Sequence, residues 1–131
     1  MIEQSEAMPL LVEACPSFGD EWAEHIAENG TELLYLAAGT FATHLLRLRQ
    51  ADATGEFPAV VAALERLHVE GSPWVQEFAT IGVLEGVQNV WSNNGCDPEH
   101  FGRMLGPESR RYWQSLNDLW SGKVPYVGAE T

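Results

Sequence analysis

Apolar residues recur along most of this chain at three- and four-residue spacing, and Gly, Pro and Asn punctuate the pattern into about seven segments. No stretch alternates as a strand would. The expected fold class is all-α: a compact single-domain bundle of about six or seven helices over residues 1–122, followed by a tail, 123–131. The first helix is short and ends at Cys15-Pro16, because the residue before a proline is pushed out of the helical region. Ser17, with Asp20 three residues on, predicts a capping-box-like start for a second helix that Asn29-Gly30 closes. At about 100° per residue, Phe18, Trp22 and Ile26 share one face of that helix. Asp20, Glu21, Glu24 and Glu28 gather on the opposite face.

Thr31 is the expected cap of a third helix whose core face reads Leu34, Ala37, Phe41, His44 or Leu45, and Leu48. Its stretch Ala37-Ala38-Gly39-Thr40 is small-sided, which predicts a close crossing by a neighbouring helix. Pro58 suits the first turn of a fourth helix that carries Val60, Val61, Leu64 and Leu67 inward, and Gly71 ends it. Ser72-Pro73 is the strongest start in the chain and leads into Trp74, Phe78, Ile81, Leu84 and Trp91. Asn93-Asn94-Gly95 stops that helix. Asp97-Pro98 and Gly106-Pro107 open a short helix and a last one bearing Tyr112, Trp113, Leu116 and Trp120.

Charge changes the picture more than composition does. Nineteen Asp and Glu face seven Lys and Arg, a formal net charge of -12. Met1 to Leu46 hold eight carboxylates and no Lys or Arg. Such a field repels nucleic-acid phosphates and anionic lipid over a Debye length of roughly 8 to 10 Å, so nucleic acid and membrane surfaces are excluded as expected partners. It attracts basic partners, and it also keeps a protein soluble. Cys15 and Cys96 form no CxxC pair, and the start MIEQSEAMPLLVEAC has no basic n-region. Both observations favour reduced thiols in a cytoplasmic protein.

Candidate chemistry is sparse. Glu65-x-x-His68 has the spacing of two metal ligands on one helix face, and Asp97-x-x-His100 is a weaker echo. A carboxylate-bridged bundle needs two good units, and Asp97 is better read as a helix cap, so the expected metal set is none, with Glu65 and His68 as the candidates should one exist. Cys96, Asp97 and His100 fit no zinc spacing. His44 and Glu85 fall on apolar faces and are expected to be buried polar residues, one able to partner the other. There is no nucleophile elbow, no phosphate-cradling glycine loop and no expected cofactor. Arg110 and Arg111 are expected to pair with Glu108 and Asp118.

The segments Ala14-Cys15-Pro16-Ser17-Phe18, Val83-Leu84-Glu85 and Leu105-Gly106-Pro107-Glu108-Ser109-Arg110-Arg111-Tyr112-Trp113 resemble an uncharacterised family of small, acidic, helical bacterial proteins. That resemblance implies no catalytic residues. In size and charge the chain is also similar to immunity proteins, which neutralise a toxin. The leading expectation is therefore an immunity or antitoxin-type binding protein, not an enzyme, presenting Asp20, Glu21, Glu24, Glu28 and Glu32 to a basic protein partner such as a cognate toxin. The alternatives are an adaptor or scaffold, and a carboxylate/His metal enzyme. A homodimer through exposed tryptophans among Trp74, Trp91, Trp113 and Trp120 is a further option.

Overall fold

A computed structural model describes residues 1–122; the expected tail at 123–131 lies outside the described residues. Seven helices follow one another: α1 (Gln4–Ala14), α2 (Gly19–Asn29), α3 (Leu34–Gln50), α4 (Phe57–Glu70), α5 (73–93), α6 (Glu99–Gly102) and α7 (Pro107–Trp120). A 3-10 turn, Pro16–Phe18, joins α1 to α2. Among the described residues there is no strand, only a parallel bridge in which Ile2 inserts beside Gly71 and ties the N-terminus to the α4–α5 turn. Among the same residues, no helix is long and apolar enough to cross a membrane. The all-α expectation holds.

The core is aromatic at its centre. Phe18, Phe41, Phe57, Phe78, Trp91 and Phe101 are fully buried, each such side chain contributing on the order of 1.5–3 kcal/mol of transfer free energy. Phe101 meets Phe57 and Trp91 edge-on at 5.7 and 5.8 Å. The inward positions read from α3 and α4 are buried, with Leu48 half-buried. Ser72 caps α5 as expected, its hydroxyl accepting the Val75 N–H at 3.3 Å.

Within α5, residues Phe78–Leu84 are wound as a π-helix, and the Glu85 N–H returns five residues to the Thr80 carbonyl. The extra residue widens the turn and re-aims the C-terminal half of the helix. It brings Thr80 to α4 and lays Gly82 and Gly86 against α3. A Cβ on Gly82 would lie 3.3 Å from Ala38 Cβ, and one on Gly86 would lie 3.4 Å from Ala42 Cβ. The close crossing expected from the small-sided stretch is present. Ala38 and Ala42 make it, whereas Gly39 faces open space.

The second helix departs from its expected pattern. It begins at Gly19, and Ser17 does not cap it. Its buried side chain is His25, while Trp22 is half-buried and Ile26 is exposed. His25 stacks on Trp22 at 5.4 Å and spans the α2–α3 loop. Its Nε2 lies 2.8 Å from the Glu32 carbonyl, an acceptor only, so Nε2 carries the proton and Nδ1 accepts from Asn29 Nδ2 at 3.3 Å. A fully satisfied imidazole thus replaces the apolar contact that periodicity assigned to Ile26. Thr31 likewise caps nothing: α3 starts after Leu33, whose φ of 55° and ψ of 44° are left-handed.

Candidate functional site

The structure separates the sequence candidates into three places. The first is the surface around α2 and the α2–α3 corner. Asp20, Glu24, Glu28 and Glu32 are exposed there. Glu21 is turned toward α3, with Oε1 3.5 Å from His44 Nδ1 and 3.6 Å from Arg47 Nη1. Beside these acids the chain exposes large apolar groups: Leu33 and Leu36 are 59% and 56% accessible, and Tyr35 and Ile26 are also exposed. Glu21, Tyr35, Leu36 and Arg47 line one shallow recess; Glu32, Leu33, Leu36 and Trp74 line another. Glu21 and Glu32 thus lie beside exposed apolar side chains on this face.

The second place is a polar cluster where α1, α3 and α4 meet. Ser17 Oγ donates to Glu56 Oε2 at 2.6 Å and lies 2.8 Å from His44 Nε2. Cys15 Sγ donates to the same Oε2 at 3.0 Å, and the Ser17 N–H donates to Oε1 at 3.2 Å. Burial pushes the Cys15 thiol up to about 12, and its bond to Glu56 adds to the shift. Burial alone would raise Glu56, yet the bonds from Cys15 and Ser17 outweigh it and hold the carboxyl below its ordinary value. His44 is buried as expected, but it does not meet Glu85. Glu85 is half-buried on α5; burial raises its carboxyl, with Asn89 opposing. Neither Ser17 nor Glu56 could be read as part of this cluster, since the bonds that join Cys15 and Ser17 to His44 and Glu56 span 27 to 41 positions with no recurrent spacing.

The third place contains Glu65 and His68, and their polar atoms are engaged within the protein. Glu65 accepts the backbone N–H groups of Glu108 and Ser109 at 3.0 and 2.9 Å, capping α7 from outside. Burial alone would raise its carboxyl; those bonds hold it below its usual value. Gly106 makes the approach possible, because a Cβ there would sit 2.8 Å from the Glu65 carboxyl carbon. His68 Nδ1 is 2.7 Å from Ser109 Oγ and Nε2 is 3.0 Å from Thr80 Oγ1. Thr80 donates to the Gln76 carbonyl, so it accepts from Nε2–H, and Nδ1 accepts from Ser109. Both ring nitrogens are therefore satisfied by hydroxyls. Arg111 pairs with Glu108 as expected, but Arg110 donates to the carbonyls of Arg103 and Leu105, and Asp118 accepts from Gln114.

Of the tryptophans, Trp91 and Trp113 are core, Trp74 is half-buried and Trp120 is exposed. Cys96 is half-buried, and Asp97 accepts the Glu99 N–H at the start of α6.

These elements define an all-helical domain with an aromatic core and two polar joints between helices. The chain belongs to the family described as a domain of unknown function, DUF7674, whose model matches residues 8–121. No curated protein and no solved structure matches it. Two of the segments that resemble an uncharacterised family coincide with the two joints: Cys15 to Phe18 forms the Glu56 cluster, and Leu105 to Arg111 forms the Glu65 cap.

Proposed function

We propose that this chain is a binding protein of the immunity or antitoxin type, which occludes a basic partner such as a toxin with α2 and the α2–α3 corner. The observation that supports this most directly is the exposed apolar corner, Leu33, Tyr35 and Leu36, set beside solvent-facing carboxylates on a chain of net charge -12. Charge alone would serve solubility; solvent-facing leucines do not. In this reading Asp20, Glu24, Glu28 and Glu32 steer a cationic surface inward, and the apolar corner supplies the contacts that slow its departure. Glu21 takes less part, because His44 and Arg47 already hold it. The role is binding and not catalysis, and the free thiols Cys15 and Cys96 suit a reducing cytoplasm.

The experiment is titration of the purified chain with the purified protein encoded by the adjacent reading frame, at low and high salt. The expected result is association that weakens with salt. The double reversal Glu24→Lys and Glu28→Lys should slow the on-rate by roughly tenfold or more, and Leu36→Ser should mainly raise the off-rate. No association at low salt would overturn the immunity reading, and an unchanged on-rate in the reversal variant would overturn the steering role of α2.

A further inference from the structure

The Cys15 cluster brings together three donors of different chemistry. Cys15 Sγ, a ring nitrogen of His44 and a carboxylate oxygen of Glu56 lie within 4.8 Å of one another. Each is held by a different element: Cys15 closes α1, His44 is within α3, and Glu56 immediately precedes α4. All three converge on Ser17 Oγ, which is 2.6 Å from Glu56 Oε2, 2.8 Å from His44 Nε2 and 3.6 Å from Cys15 Sγ.

Ser17 and the three donors share a small number of protons. Cys15 and Ser17 each have one proton, and both are directed at Glu56 Oε2. An imidazole with one ring proton must face Ser17 Oγ through Nε2 and the Glu21 carboxylate through Nδ1. With the proton on Nδ1, facing Glu21, the Ser17 hydroxyl can donate to Nε2 while Cys15 donates to Glu56, so Ser17 is the adaptable member of the set. A cation held between Cys15 Sγ, His44 Nε2 and the Glu56 carboxylate would meet three donors that already lie within 4.8 Å of one another, with Ser17 Oγ beside it. With it in place, Nδ1–H donates to Glu21, the arrangement that usually stands behind a metal-bound histidine, and Nε2 is free to ligate.

We propose that the Cys15 thiolate, His44 Nε2 and the Glu56 carboxylate form a Zn²⁺ site, with the fourth position taken by Ser17 Oγ or an exchangeable water. A mixed sulfur, nitrogen and oxygen set suits this borderline-soft ion, for which metal–ligand distances of about 2.0–2.3 Å are normal. The thiolate and carboxylate together neutralise the dication, so its half-buried position, with Cys15 and His44 buried and Ser17 exposed, leaves no uncompensated charge. On binding, the Cys15 S–H bond breaks, an S–Zn bond forms and one proton passes to solvent. The proposal does not rest on the partner-binding reading, although Glu21 borders both places.

The test uses the reduced, full-length chain with Co²⁺ as a spectroscopic stand-in, and Zn²⁺ in equilibrium dialysis. The expected result is one metal per chain, one proton released, and a thiolate-to-cobalt charge-transfer band. That band should vanish in Cys15→Ser and persist in Cys96→Ser. Affinity should fall by at least roughly tenfold in Glu56→Gln and Glu21→Gln, the latter without loss of a ligand. Circular dichroism and thermal melting check that each variant is folded; if Cys15→Ser is not, the Glu56→Gln affinity decides. Failure of the wild-type chain to take up either ion, a band that survives in folded Cys15→Ser, or undiminished affinity in Glu56→Gln would each overturn the site.

Discussion

His68 illustrates how a single buried group sets a pH limit on this fold. Burial first, and only partly offset by the Glu65 charge, lowers its pKa to about 4 from an ordinary value of 6.5. The folded state therefore excludes a proton that the unfolded chain accepts. The stability this contributes is complete above about pH 6.5 and is lost as pH falls toward 4, at about 1.4 kcal/mol per unit and about 3 kcal/mol in all. The carboxyls of Glu56 and Glu65 are held low, so their own losses come at still lower pH. Urea midpoints measured between pH 7 and pH 4 should decline in the wild type and decline less in His68→Gln. Parallel profiles for the two chains would show that His68 stays outside the titration. Glu65 belongs to the same joint: its carboxylate does for α7 what a local capping residue does elsewhere, but from another helix.

At the scale of elements, the α2–α3 corner concentrates features that stability alone does not favour. Leu33 occupies the left-handed region, which costs a non-glycine residue about 1–2 kcal/mol. It nevertheless points most of its side chain into solvent, so burial does not offset the strain. Leu33→Gly should relieve the backbone at little loss of packing and raise stability by about 0.5–1 kcal/mol after the entropy of glycine is counted. The partner-binding reading adds that the same change weakens association. A thermal melt and a binding titration on this one variant check both statements, and a lowered melting temperature would show that Leu33 is supported by contacts its exposure does not reveal. The π-helical stretch of α5 is the second such feature. It places Thr80 beside His68 and glycines beside α3, so one irregular turn serves both a polar joint and a helix crossing.

At the scale of the whole molecule, the net charge of -12 opposes compaction, because self-repulsion is relieved when the chain expands. Screening should therefore stabilise the fold: the melting temperature is expected to rise between about 0.01 M and 0.3 M sodium chloride, across which the Debye length falls from about 30 Å to less than 10 Å. A flat or falling melting temperature would mean that local ion pairs, such as Arg66 with Glu70 and Arg111 with Glu108, outweigh the net field. Those pairs are exposed and each contributes little. The same screening reduces attraction to a cationic partner, so stability and association should move in opposite directions with salt.

Sequence alone determined the helical class, the boundaries marked by Ser72-Pro73 and Gly106-Pro107, the core faces of α3 and α4, and the acidic character of α2. Those are local properties, set by periodicity, by the backbone limits of proline and by the charge of neighbouring side chains. Tertiary structure alone decided that His25 and not Ile26 anchors α2, and that Ser17 turns away from its helix toward Glu56. It also decided that Glu65 caps a helix 43 positions away, and that Leu33, Tyr35 and Leu36 remain in solvent. The physical reason is common to all of these. A polar side chain takes the nearest adequate partner in space, and an apolar one is buried only where another element covers it, and neither distance is encoded in spacing along the chain. The acidic helix was legible; the apolar corner beside it, and the Cys15, His44 and Glu56 convergence, exist only once the helices are packed.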